Sequence, residues 1–308
     1  MNPASPRSFA VLSIGAALLT MALKALAYGV TGSIGLLSDA LESGINLVAA
    51  GVAVWALSLA AKPADIEHPY GHSKAEYFSS GVEGSLIVVA SISIALAAWE
   101  RLWDPQPLQQ LGWGLGLSLV ATLINGTVAG ILLRAGRRFN SIALRADAQH
   151  LLSDVWTSVG VGVAIILIGL TGWLILDPLI AFGVAGSILW TGINLLRETG
   201  DGILDQALPE EDQARILRVL QQITQTLPVG EVSFHAILTR RSGSRRFVSL
   251  QMRVPGSWTV QQGHHLCDRV EEALRAALSN SDIVIHMEPL GVAPTSTPAT
   301  DYSPEMPR

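Results

Sequence analysis

The chain has 308 residues, 49% hydrophobic and only 15% charged, with a mean hydropathy of +0.41. Soluble domains carry about 25% charged residues, so this balance points to a membrane protein. The net charge of −5 gives no basis for nucleic-acid binding, and the single cysteine, Cys267, excludes an intrachain disulfide framework and a multi-cysteine zinc finger.

A membrane helix needs about 20 mostly apolar residues. Six stretches qualify: 9–30, 34–60, 77–102, 112–136, 141–171 and 175–199. The first reads as a membrane helix rather than a removable signal peptide, because MNPASPRSFAVLSIG has one Arg and no convincing cleavage site before the apolar run continues. The connections alternate in character. Lys62–Lys74 holds Lys62, His68, His72 and Lys74, and Arg134–Arg145 holds Arg134, Arg137, Arg138 and Arg145. Thr31–Ser33, Trp103–Leu111 and Thr171–Leu174 hold no basic residue. Basic loops stay in the cytoplasm, so the second and fourth connections and both termini are expected inside. Trp99, Trp103, Trp113 and Trp173 then fall near the outer interface, where indole rings prefer to sit.

After Gly200 the composition changes. Pro209 is expected to begin a helix reaching Leu227, with Glu210, Glu211 and Asp212 in its first turn. Val232–Thr239 and Arg246–Val254 read as strands joined by a turn at Arg241–Ser244. Val260–Leu278 reads as an amphipathic helix and Asp282–Met287 as a short strand. That α-β-β-α-β order predicts a small α+β domain with one layer of helices on a sheet. From about Ala293 the chain is rich in Pro, Ser and Thr and is expected to be disordered. The expected division is a six-helix membrane domain at 1–204, a soluble domain at 205–291 and a tail at 292–308.

A polar pattern occurs twice inside apolar segments. SDALESGINL places Asp39, Glu42 and Asn46 at the same offsets at which ALRADAQHLLSD places Asp147, His150 and Asp154. Residues four apart leave the same face of a helix, one turn apart. An ionisable group in a membrane helix costs ~2.5–3.5 kcal/mol on the insertion scale, so such groups are usually functional and face the bundle interior. Glu42, Asn46, His150 and Asp154 form an oxygen-rich set with one imidazole. It suits a divalent ion of borderline hardness: zinc, iron(II), cobalt, manganese or cadmium. The plain alternative is a helix-packing polar network without metal. Asp39 and Asp147 read as groups that orient the ligands or carry protons, or else as hydrogen bonds between helices.

In DIEHPYGH, Asp65, His68 and His72 have the spacing to fold around one exposed ion, with Pro69 and Gly71 allowing the turn; a solvated loop that merely contains histidine is the alternative. In the soluble domain His235, His264, His286 and Glu288 are scattered, and residues 286 and 288 face one way on a strand. Ordinary surface histidines would look the same, and His265 and Cys267 are weaker candidates. Lys74 at the start of helix 3 and Asp205 just past helix 6 would bridge the domains if paired, and otherwise are solvated charges. Lys24 and Glu83 lie within membrane helices 1 and 3, facing the interior or snorkelling, with no assigned role.

SDALESGINL, PADIEHPYGHSKAEYFSSGVEG, ALRADAQHLLSDVWTS and LDQALPEE together resemble the cation diffusion facilitator family of divalent-metal/proton antiporters, over nearly the whole chain to about Leu290. The resemblance implies a homodimer of six-helix protomers in the cytoplasmic membrane, each with a cytoplasmic ferredoxin-like domain. It implies a transport site on helices 2 and 5 at Glu42, Asn46, His150 and Asp154, and a loop site at Asp65, His68 and His72. It also implies a dimer-stabilising metal site at His235, His264, His286 and Glu288, and an interlock between Lys74 and Asp205. Divalent metal ions are then substrate and regulator, protons the counter-substrate, and no nucleotide or catalytic cofactor is expected. The chain departs from the family pattern at Glu42 and Asn46, where Asp or His and then Asp are commoner, and at Gln251, where some members have a histidine.

Other classes fare worse. An intramembrane metal-dependent hydrolase would show H-E-x-x-H, which is absent, and an ATP-driven pump would show G-x-x-x-x-G-K-[ST], which is also absent. A membrane metal sensor or scaffold that binds without transporting remains the alternative to a transporter.

Overall fold

The computed structural model describes residues 5–31, 34–103, 113–173, 175–228 and 230–291. Side chains at 27–31, 34–43, 45–46, 113–115, 117–118, 161–162, 164–166, 168–169 and 177 lie outside that description. So does the 292–308 tail expected to be disordered. The chain forms two units, Met1–Asp201 and Gly202–Arg308.

All six apolar stretches of the first unit are helical: α1 Pro6–Thr31, α2 Ile34–Ala60, α3 Ala75–Trp103, α4 Trp113–Phe139, α5 Ile142–Thr171 and α6 Leu176–Ile203. Over the described residues, four contain stretches long and apolar enough to cross a membrane: Pro6–Leu26, Ala75–Trp103, Leu119–Phe139 and Pro178–Ile203. The described apolar part of α2 is Leu47–Ala60. In α5, residues 142–160 carry Arg145, Asp147 and Asp154, which breaks the apolar run. α1 packs along α2 and α4, α4 along α5, and α3 against α2 and α5.

Small residues set how closely these helices approach, since packing rather than a hydrophobic drive holds helices together in lipid. Ala10, Ala129, Ala143 and Ala148 are fully buried among Leu132, Leu144 and Leu151. A Cβ at Gly192 of α6 would come within 2.9 Å of Val88 on α3, and one at Gly84 of α3 within 3.0 Å of Leu196 on α6. Ser80 and Thr199 share a 2.8 Å hydrogen bond along the same seam. Leu19, Leu96, Leu123 and Trp190 point outward, as a lipid-facing surface requires.

The second unit runs α7 Glu210–Gln225, β1 Ser233–Ser242, β2 Arg245–Val254, α8 Val260–Ala277, β3 Ser281–Pro289. Pro209 is the N-cap of α7 rather than its first helical residue. The strands extend further than the sequence pattern predicts. Ser242 pairs with Arg245, so the expected four-residue turn narrows to Gly243–Ser244, with Gly243 at φ +56. β2 lies in the middle, antiparallel to β1 and parallel to β3, with α8 as the crossover. α8 opens with a capping box between Thr259 and Gln262.

Alternation gives the sheet two faces. Phe234, Val248, Leu250, Met252 and Ile283 pack with Ile216 and Leu220 of α7 and Leu266, Val270 and Leu274 of α8. Among the described residues of this unit, no helix packs on the other face, which shows three successive rungs. They are Leu238–Ser249–Val284, then His235–Gln251–His286, then Ser233–Arg253–Glu288. A β-bulge in β1 between His235 and Leu238, with Ala236 at φ +47, keeps both of those residues on this face although they are three apart.

Candidate metal centres

The connection between α2 and α3 folds locally around three ligand-type side chains. The Gly71 amide donates to the His68 carbonyl at 2.9 Å, and Gly71 adopts φ +82, which a side chain would resist. The His68 amide donates to Asp65 Oδ1 at 2.7 Å. Asp65 Oδ1 then lies 3.3 Å from His68 Nδ1, and Oδ2 lies 3.4 Å from His72 Nε2. The imidazole rings sit 4.4 Å apart between centroids.

Among the described residues, this is the group of three His, Cys, Asp or Glu side chains whose ligand atoms all lie within 4.8 Å of one another. His72 is nearly covered, with its side chain 8% exposed, and its Nδ1 is buried with no hydrogen-bond partner among the described residues. The His68 backbone N–H, followed by the charges of His72 and His68, holds the Asp65 carboxyl below its usual range against a weaker desolvation effect. Two imidazoles and a carboxylate are a three-ligand set of zinc type with an open position.

The membrane helices gather a second polar group, built on α5. His150 and Asp147 are buried, at 5% and 2% exposed. Asp147 accepts from Ser13 of α1 at 2.9 Å. Asp154, partly buried, accepts from the side-chain amide of buried Asn125 on α4 at 3.3 Å. Glu83 of α3 is wholly buried and accepts from Ser79, so it faces the protein interior and does not snorkel. The side chains of Asp39, Glu42 and Asn46 lie outside the described residues. Asn125 was not among the expected site residues; its only sequence signal is a lone amide inside an apolar run. Two ties sit nearer the helix ends. Ser141, just ahead of α5, donates to buried Glu76 of α3, and Arg145 of α5 pairs with Glu198 of α6.

In the soluble domain the sheet, not a loop, determines which side chains meet. His235, His286 and Glu288 share the open face, while His264 rides on α8 in the helix layer, exposed and 3.6 Å from Asp268. Between the would-be ligands, the central strand supplies Gln251 and Arg253. Arg253 Nε reaches Glu288 Oε2 at 3.4 Å, with side chains 20% and 11% exposed. His286 Nε2 lies 3.7 Å from the other Glu288 oxygen. Burial first, then the Arg253 guanidinium, holds His235 below the ordinary imidazole range, against the opposing pull of Glu288. One oxygen of the carboxylate in this set is thus paired with a guanidinium and the other faces an imidazole. Lys74 and Asp205 fall in different units; within its own unit Asp205 accepts from Arg240 at 3.1 Å.

Residues 10–204 match the cation efflux transmembrane domain and residues 208–290 the cation efflux protein cytoplasmic domain. The chain belongs to the cation diffusion facilitator family. Members of the cation diffusion facilitators are transporters rather than enzymes, and this chain is accordingly a multi-pass membrane protein whose family carries out metal-cation efflux. An uncharacterized transporter of Synechocystis sp. is 58% identical over 287 residues, covering 92% of this chain and 90% of its own. A cation-efflux pump, FieF, of Yersinia enterocolitica is 29% identical over 297 residues, covering 96% of this chain and 97% of its own. A solved structure of a putative zinc transporter, CzrB, in its zinc form is 36% identical, covers 28% of this chain and 94% of its own, and has a TM-score of 0.26.

Proposed function

We propose that this cation diffusion facilitator exports a divalent cation, zinc first and iron(II) second, in exchange for protons, through a site on α2 and α5. The observation that carries this reading is the buried polar face of α5. Asp147, His150 and Asp154 sit where apolar side chains would cost nothing, and Asn125 orients Asp154 from α4. Glu42 and Asn46 complete the set from α2. Three oxygen donors and one imidazole suit zinc, and the oxygen majority keeps iron(II) in second place.

Metal and protons compete for the same atoms. His150 must be neutral to ligate, and Glu42 and Asp154 must be ionised. His150, the one imidazole of the set, is the exchange group of this reading. Metal entering from the cytoplasm displaces protons. The helices then rock, the site opens outward, and protons return as metal leaves, which is alternating access about a fixed site. The charged connections Lys62–Lys74 and Arg134–Arg145 support an orientation with both termini in the cytoplasm. The protein works as a homodimer in the inner membrane, with Lys74 and Asp205 as the interlock.

Reconstituted into proteoliposomes, the wild-type chain is expected to couple zinc movement to a pH gradient. Asp154→Ala is expected to reduce that flux to the level of protein-free vesicles. Full flux in the variant would remove the α2/α5 site, and saturable zinc binding by the wild type without flux would make the chain a sensor or scaffold.

A further inference from the structure

We infer that Arg253 is the resident cation of the soluble domain, and that it keeps the His235–His286–Glu288 face from holding a metal ion.

Residues at positions i and i+2 of a strand share a face, so β2 presents Gln251 and Arg253 beside whatever β1 and β3 bring to the same face. The pairing sets Gln251 between His235 and His286, and Arg253 between Ser233 and Glu288. A metal joining His235, His286 and Glu288 would lie over the middle strand, directly above an amide and a guanidinium. Gln251 adds a neutral donor only. Arg253 is a fixed positive charge that cannot be deprotonated. Its Nε is 3.4 Å from Glu288 Oε2, and both side chains are mostly covered, so water screens the pair weakly. A divalent ion would have to take Glu288 from this guanidinium and then sit beside the displaced charge. The face therefore carries its own cation.

This inference rests on the metal-transporter reading only for the expectation that a metal would be present. The test uses the full chain in detergent, with zinc chloride as the probe and retained zinc counted after equilibrium dialysis. Asp154→Ala and His72→Ala together silence the membrane and loop sites. That background is expected to retain no zinc. Adding Arg253→Gln, or Arg253→Met as a second variant, is expected to create retention of a zinc ion per chain, lost again with His286→Ala. Arg253→Lys, which keeps the charge, is expected to retain none. Zinc held by the background and released by His286→Ala would overturn the inference. So would failure of both Arg253→Gln and Arg253→Met to gain zinc. Flux by the wild-type chain is a separate readout: its absence would sink the transporter reading and leave the zinc count in the soluble domain standing.

Discussion

The loop at 65–72 and the open face of the soluble-domain sheet both carry two histidines and one carboxylate, yet they present opposite chemistry. In the loop, one turn of backbone brings three donors within reach of one another. On the sheet, each strand contributes its own residue, and the central one contributes Arg253 to the only carboxylate. A ligand set encoded within eight consecutive residues is fixed by local geometry. One spread over three strands also depends on the strand that runs between the donors. Similar residue types therefore form a compact donor cluster in one place and an internal ion pair in the other.

The sharpest break of that contrast is to remove one histidine from each region. His72→Ala is expected to cost the loop its metal, weakening zinc retention by more than the about 10–100-fold typical of losing an outer partner. His286→Ala is expected to leave the number of retained zinc ions unchanged. Zinc counting on the full chain in detergent reads both, and equal losses from the two variants would erase the distinction.

A gentler perturbation targets the loop backbone. Gly71→Val puts a β-branched side chain at φ +82, a strain of about 1–3 kcal/mol. Since about 1.4 kcal/mol is tenfold in affinity, loop zinc binding should fall roughly tenfold or more with no ligand removed. Unchanged affinity would show that the turn does not organise the three donors.

The smallest effect concerns pH. The Asp65 carboxyl is held below its ordinary value of 3.8, chiefly by the His68 amide. A depressed carboxyl stays ionised to lower pH than a free one. Its support of the loop is complete above the ordinary value and is lost only as pH falls through the lowered one. Protonation of Asp65 should therefore be the last step in the acid release of loop zinc. In the Asp154→Ala chain, a zinc-release profile centred in the carboxylate range would contradict this order.

Much of the architecture could be read from the residues, and the reasons differ by region. The six helices follow from apolar runs, whose lengths are plain in the sequence, and their observed ends shift by a few residues at most. The loop triad was legible because Pro69 and Gly71 allow a turn within a short span. Asn125 was not, because a lone amide has no period to betray which face it occupies; only the packing of α4 on α5 brings it to Asp154. Arg253 was passed over for a related reason. The pairing of Arg253 with Glu288 arises from the register of β2 with β3, a contact between residues 35 apart.

The bulge in β1 has a consequence for how the sheet tolerates change. The pairs Ser242–Arg245 through Leu238–Ser249 and the pairs His235–Gln251 through Ser233–Arg253 are each regular, and the one surplus residue sits between them at 236–237. That position acts as an expansion joint. A residue lost there would straighten the strand while leaving Phe234 in the core and His235 opposite Gln251. The hairpin can thus change length by a residue without exchanging its inner and outer surfaces.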